Sequence, residues 1–421
     1  MHKVGKEAVT LAKGGRREPL LPPRPTVANL LRLIWTERRI SRAELARRTE
    51  LSRSTVSLIV SELLTTGLVA EVGAGPSRGG RRPIVLEFQD NAFGIIGIDM
   101  GASHLAVALT NLRGEVQAWA ERRFPVRTDP PGTCALLVEL TAACLAKLPG
   151  GTKHLVGIGI GVPCPVDPRH PEALEERVMP QWKGTSVVDE LRAHFGVPVL
   201  LDNDANLGAL AECWWGVSRG VANSAFLKVA TGVGSGHIIE GQIYRGAHGA
   251  AGEIGHLAID PQGPPCICGL RGCLVTLVGS QALLARAEEL LPRFPQSRFA
   301  RSERTITTLE DSALAGDPLA LEVIREAAQR LGIAIAGLAN VMNPEVVSVG
   351  GSLARLGDLL LEPLRETVRT RSFVAAAAGT RIVASELGSR DVAVGAATLV
   401  LQAALENVSF PGREPELKGA P

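Results

Sequence analysis

Aromatic side chains are scarce in this sequence. They make up 4% of 421 residues, with one tyrosine, which disfavours recognition of single-stranded nucleic acid by base stacking. No apolar run approaches the roughly 18 residues of a membrane-spanning helix. Met1 to Arg17 is basic and has no apolar stretch before a cleavage site, so it does not read as a secretory signal. The expected location is the cytoplasm, with no membrane contact. Seven cysteines in a reducing compartment are not a disulfide framework. With 45% hydrophobic and 21% charged residues, neither a disordered chain nor a small disulfide scaffold fits. The length suggests about three domains.

What is present is unevenly distributed. Residues 1–90 hold 16 Lys and Arg against 9 Asp and Glu, whereas the remainder holds 29 against 34. A basic head on an acidic body suggests that the head meets a polyanion. Residues 1–25 read as a flexible basic arm. From Thr26, the residues Val27, Leu30, Leu31 and Ile34 form one stripe of a helix. Ser41-Arg42-Ala43-Glu44 reads as a capping box for a second helix, and Ser52 caps a third. The third buries Val56, Ile59, Val60 and Leu63 and exposes Arg53, Ser54, Thr55 and Ser57. This is a helix-turn-helix pattern, with hydroxyl and guanidinium groups placed for base edges and phosphates of double-stranded DNA. Two short strands, Leu68–Val72 and Pro83–Phe88, then bracket a glycine- and arginine-rich tip. That tip reads as a wing, with Arg81 and Arg82 as minor-groove candidates. The winged helix-turn-helix is assigned to residues 26–90.

The body contains two similar glycine-punctuated units, Phe93–Val116 and Ala225–Arg245. Their recurrence suggests a duplicated α/β fold with a cleft between its lobes. Asp99, Gly101 and Ser103 in the first turn, and Thr231, Gly232 and Gly234 in the second, are candidates to approach phosphate oxygens. Asp99 could also hold a metal-bound phosphate. Val347 to Ser352 is a buried strand with a glycine turn, and Gly350 and Gly351 are candidates for the side of an adenine ring. The strand Val197–Leu201 ends in Asp202-Asn203-Asp204-Ala205-Asn206, at the strand end where α/β folds bind ligands. A carboxylate beside an amide suits the hydroxyls of a polyol. For Asp202 a helix-capping role is the preferred reading. For Asn203 and Asp204 ligand contact is preferred over capping.

Glu253 and His256 lie three residues apart, and His256 precedes Cys266, Cys268 and Cys273. Three thiolates and an imidazole make a closed structural zinc site. Cys134, Cys144, Cys164 and Cys213 read as core fillers. The apolar helix from about Arg390 to Glu406 closes the core.

With these residues in place the chain resembles the ROK family of repressors and sugar kinases, from about Thr26 to Glu406. The resemblance implies a two-lobed, actin-like sugar-kinase ATPase fold behind the winged head. The first lobe would span 91–205 and the second, larger lobe 206–421, with the C-terminal helix free to return to the first. It further implies that Asp204 is the general base wherever kinase activity survives, and that Asn203, Asp204, Glu253 and His256 contact the sugar. His256, Cys266, Cys268 and Cys273 would hold zinc, with Mg-ATP required only by a working kinase. Two departures stand out. Ala102 interrupts the first phosphate turn where the family has glycine, and Val275 stands where its kinases carry a second glutamate. The resulting expectation is a repressor of sugar-metabolism genes, a homodimer or homotetramer that binds operator DNA and senses a sugar or sugar derivative. The alternative is an ATP-dependent sugar kinase of the hexokinase or glucokinase type with a fused DNA-binding head.

Overall fold

A computed structural model describes residues 25–74, 83–371 and 379–411. The basic arm to residue 24 and the wing tip with Arg81 and Arg82 lie outside the described residues. In the head, α1 (Pro25–Glu37) buries Val27, Ala28, Leu30, Leu31 and Ile34. A short strand β1 (Arg39–Ser41) leads into α2 (Arg42–Thr49) and α3 (Arg53–Thr65). Ser41 and Ser52 cap these two helices by accepting from Glu44 N and Thr55 N. The capping box at Ser41 is only half made. The Glu44 carboxylate turns away to Arg47 and Arg48, because charge-assisted bonds are stronger than a return bond to a neutral amide. Strands β2 (Val69–Ala74) and β3 (Ile84–Phe88) complete a three-stranded sheet in the order β1-β3-β2.

The body repeats one sheet twice. The first lobe holds β4 (Gly94–Met100), β5 (His104–Thr110), β6 (Val116–Arg123), α4 (Pro130–Leu145), β7 (Leu155–Val162), α5 (Val187–Phe195), β8 (Val199–Asn203) and α6 (Asp204–Trp215), so the expected boundary at residue 205 falls inside a helix. Its strand order is β6-β5-β4-β7-β8. The second lobe holds β9 (Ser224–Val229), β10 (Val233–Ile239), β11 (Gln242–Ile243), α7 (Val275–Val278), α8 (Ser280–Leu290), α9 (Ile306–Leu314), α10 (Pro318–Met342), β12 (Val346–Gly350), α11 (Asp358–Arg371) and β13 (Arg381–Ala384). Its order, β11-β10-β9-β12-β13, is the same arrangement. In each sheet a central strand has an antiparallel hairpin partner on one side and a parallel partner on the other. Ile98 faces Val107 and Ile160 in the first, and Leu227 faces Ser235 and Val349 in the second. The central strands are buried on both faces and therefore read as near-continuous apolar runs.

The last helix, α12 (Asp391–Asn407), packs against β4, β7 and α6, and so lies on the first lobe. Gly97 and Gly159 permit this approach. A Cβ on either would overlap a carbonyl of α12, at Ala393 and Ala396 respectively. The head docks beside α12. Trp35 of α1 donates through Nε1 to Leu112 O at 3.0 Å. The Arg113 guanidinium stacks 4.5 Å over the same ring and donates to Asp90 Oδ1 at 2.7 Å. Trp214 and Trp215, at the end of α6, lie 5.5 and 6.1 Å from Trp35 between ring centres.

Candidate functional site

The cleft is floored by the start of α6. Asn203 is extended and caps the helix, its side-chain oxygen accepting from Ala205 N and Asn206 N, while its Nδ2 donates to Cys164 O at 3.1 Å. The capping role expected of Asp202 thus belongs to Asn203, one residue later. Asp202 is buried and takes a different part. It accepts from Asn206 Nδ2 at 3.0 Å and from Arg245 of the second lobe at 2.6 Å. Capping consumes the Asn203 oxygen, and only the second N–H of its amide nitrogen is left for a ligand. Asp204, the first residue of the helix, is paired through Oδ2 with Lys228 of β9 at 2.8 Å.

Glu253 is held beside this helix start. Ser235 of β10 donates its backbone N–H to Gly252 O at 2.8 Å, which anchors the segment leading into Glu253 and His256. Burial and the nearby Asp204 charge push the Glu253 carboxyl up to about 7, so near neutrality it can donate or accept towards a hydroxyl. Burial pushes the His256 imidazole down, and the neutral ring is the form that ligates metals. Its Nδ1 lies 3.4 Å from Cys266 Sγ, and its Nε2 faces Glu253 at 3.8 Å. Cys268 and Cys273 bring their sulfurs to 3.5 Å of each other. The ligand atoms of His256, Cys266, Cys268 and Cys273 all fall within 4.8 Å of one another, a cluster able to hold a metal ion. Gly272 makes the loop possible. Its φ is +61°, and a Cβ there would overlap Asp260 O. Val275 begins α7 and packs against the second-lobe core.

The phosphate side of the cleft is occupied by the chain itself. Asp99, buried at the end of β4, accepts from His104 Nε2 at 3.1 Å and lies 3.9 Å from Lys228 Nζ. Burial alone would raise its carboxyl, but the Lys228 and His104 charges prevail and lower it. The His104 ring also fills the space beside Gly101, where a Cβ would clash with it. Ser103, Thr231 and Gly232 are exposed. Gly234 lies against α6, where a Cβ would stand 3.4 Å from Ala205. Gly350 abuts the Phe226 ring and Asp391, while Gly351 turns with φ +80° beside Val229. Burial pushes the Asp391 carboxyl up to about 7, with Lys228 opposing and Asp99 assisting. Mg-ATP does not fit this arrangement. A lysine ammonium already takes the carboxylates that a magnesium-bound phosphate would use.

In the head, Arg53, Ser54, Thr55 and Ser57 are exposed along the first turns of α3. Leu58 beside them is 61% exposed, an apolar group suited to a thymine methyl. Arg42 packs across from α2, donating to Ser57 O at 3.3 Å. Sequence reasoning passed over Lys228, Arg245, His104 and Leu58. A lone lysine inside an otherwise apolar strand was the one available signal, since buried lysines are rare unless paired.

Comparison with known proteins identifies the family. The ROK family profile matches residues 95–403, and a winged helix-turn-helix DNA-binding profile matches residues 25–70. A xylose repressor of Caldicellulosiruptor bescii is 34% identical over 386 residues, covering 91% of this chain and 96% of that one. Among solved structures, a ROK family transcriptional regulator, described as a homologue of the E. coli MLC protein, aligns with a TM-score of 0.76. It is 27% identical and covers 91% of this chain and 97% of its own. A ROK family glucokinase from Streptomyces griseus, in complex with glucose and AMPPNP, aligns with a TM-score of 0.66 and 27% identity. It covers 73% of this chain and 99% of its own.

Proposed function

This chain belongs to the ROK family, and from that premise we propose that it is a sugar-responsive transcriptional repressor acting in the cytoplasm. A homo-oligomer holds two-fold operator DNA through paired heads, and a sugar in the cleft releases it. Asn203, Asp204, Glu253 and His256 contact the sugar hydroxyls. His256, Cys266, Cys268 and Cys273 hold a structural zinc ion, which when bound fixes the loop that carries His256. Four protein ligands would close such an ion off and leave it no position for substrate. An aldose is the effector class, and xylose is the first to test because the C. bescii relative is named for it.

The observation that carries this reading is the continuity of α6. Its N-terminal end bears Asn203 and Asp204, and its C-terminal end bears Trp214 and Trp215 against Trp35 of the head. Twelve residues span about 18 Å at 1.5 Å per residue, so a rigid rod joins the sugar site to the DNA-binding domain. An effector shifts the DNA equilibrium only by binding the DNA-free arrangement better, and such couplings are typically about 1–3 kcal/mol.

The test is a titration of the protein onto a labelled duplex drawn from the DNA upstream of its own reading frame, with and without a panel of aldoses. One sugar is expected to weaken binding by about 5- to 150-fold, and affinity is expected to fall steeply with salt. A binding curve that no sugar moves, or that ignores salt, would sink the reading.

A further inference from the structure

Lys228 is the one charged residue of β9, set between the buried Leu227 and Val229. Its side chain is only 13% exposed. A buried lysine is tolerated where carboxylates compensate it, and here they come from three first-lobe elements. Asp204 begins α6, Asp99 ends β4, and Asp391 begins α12. Asp204 is hydrogen-bonded to the ammonium at 2.8 Å. Asp99 Oδ1 stands 3.9 Å away. Asp99 Oδ1 and Asp391 Oδ2 are buried without a hydrogen-bond partner among the described residues. Among the described residues, His104 donates to Asp99, the Val392 N–H donates to Asp391 Oδ1, and the Lys228 ammonium supplies the charge that balances Asp204 and Asp99 and acts on Asp391 as well. Without it the Asp99 and Asp204 carboxylates would lose their shared ammonium, with the charge of Asp391 close to Asp99, and unpaired carboxylate oxygens are what a hard divalent cation takes.

We propose that Lys228 is a resident cation of the cleft. Its ammonium ties the lobes together through Asp204 and Asp99, stands in place of a metal-bound nucleotide, and presents Asp204 to an uncharged sugar. The effector therefore binds without nucleotide or divalent metal. Lysine and metal compete for the same oxygens, and two cations held on one buried carboxylate pair repel strongly. A phosphorylated sugar is disfavoured for the complementary reason, because its phosphate would approach carboxylates whose counter-charge is already committed. This inference rests on the sugar-sensing reading of the cleft and assigns its ligand class.

The experiment compares the full chain with Lys228→Met and Lys228→Gln. Mn²⁺ binding is measured by calorimetry and by electron paramagnetic resonance, and affinity for the releasing aldose is measured with and without millimolar Mn²⁺. In the parent chain we expect no Mn²⁺ site in the cleft and an aldose affinity that Mn²⁺ leaves unchanged. Both variants should gain a Mn²⁺ site and lose about tenfold to a hundredfold in aldose affinity. Mn²⁺ should restore that affinity, a rescue that a purely structural lysine would not give. A Mn²⁺ site in the parent chain that Asp204→Asn removes would overturn the proposal. So would unchanged aldose affinity in the variants, or a loss that Mn²⁺ fails to rescue. If neither variant folds, the Mn²⁺ titration of the parent chain alone decides. The Mn²⁺ readout needs neither DNA nor sugar, so a chain that responds to no aldose would refute the repressor reading and leave this result standing.

Discussion

The two sides of the cleft are built from equivalent halves of a duplicated fold, yet their polar groups are disposed differently. On the Glu253 side, desolvation and the Asp204 charge push the half-buried Glu253 carboxyl up to about 7, and the His256 Nε2 edge faces it at 3.8 Å. Those groups have hydrogen-bonding capacity to give a ligand. On the phosphate-facing side the capacity is already used. Asp99 is engaged by His104 and Lys228. Arg245 similarly takes Asp202 across the lobes. A fold can keep the backbone of a phosphate site while its own cations neutralise the carboxylates that would have served a metal. The Glu253 and His256 side remains receptive because neither group is held by a fixed ammonium.

The sharpest way to break this contrast is to remove the metal cluster under the sugar side. Cys268→Ser deletes one of the four ligands. Structural zinc contributes on the order of 10 kcal/mol to folding in small zinc modules. We expect loss of bound metal and of all sugar response, with DNA binding by the head retained. Metal content and sugar titration of the same sample check this. A variant that keeps its sugar response without metal would show that Glu253 and His256 are positioned by the sheet alone.

The next largest effect concerns the link between cleft and head. Trp35→Ala removes the ring that contacts Trp214, Trp215 and the Arg113 guanidinium. Sugar affinity should be nearly unchanged, while the coupling of about 1–3 kcal/mol to DNA should be lost. Calorimetry of sugar binding and a DNA-release titration separate the two. If release persists, the signal does not run through the end of α6. Asn203→Ala acts more modestly on stability. It removes a helix cap, which costs about 0.5–2 kcal/mol, along with the bond to Cys164 O. Asn203→Asp keeps the cap and is expected to recover most of the loss in a thermal melt.

Parts of this were legible in the sequence for definite reasons. The duplicated sheet announced itself because strands buried on both faces must be apolar runs, and each run was broken by a glycine turn. The cluster of His256, Cys266, Cys268 and Cys273 was legible because closed ligation demands particular residue types at close spacing. The helix-turn-helix followed from Ser52 and the stripe Val56, Ile59, Val60 and Leu63. The Lys228 network was not legible. Its partners belong to different elements, and only packing of the two lobes brings Asp99, Asp204 and Asp391 to one amine. The cap was misassigned between Asp202 and Asn203 because a helix start shifts by a residue without changing the sequence pattern. Asp202, freed from capping, proved to be the partner of Arg245, a pairing between residues 43 apart in the chain.

The smallest expected effect discriminates between two explanations of the phosphate side. Sequence alone pointed to the Ala102 Cβ as the obstacle in the first glycine turn. The geometry points instead to charge, since Asp99 in the same segment is already held by Lys228 and His104. Ala102→Gly tests them against each other. Gly costs about 0.4–1 kcal/mol through the freedom it adds to the unfolded chain, so a slight drop in melting temperature is expected. Sugar response should stay as it was, and no affinity for a non-hydrolysable ATP analogue should appear in calorimetry. If that single change did confer nucleotide binding, the backbone would have been the barrier and the two sides of the cleft would differ by one methyl group. If it does not, the barrier lies in the ammonium of Lys228, which glycine at position 102 leaves in place.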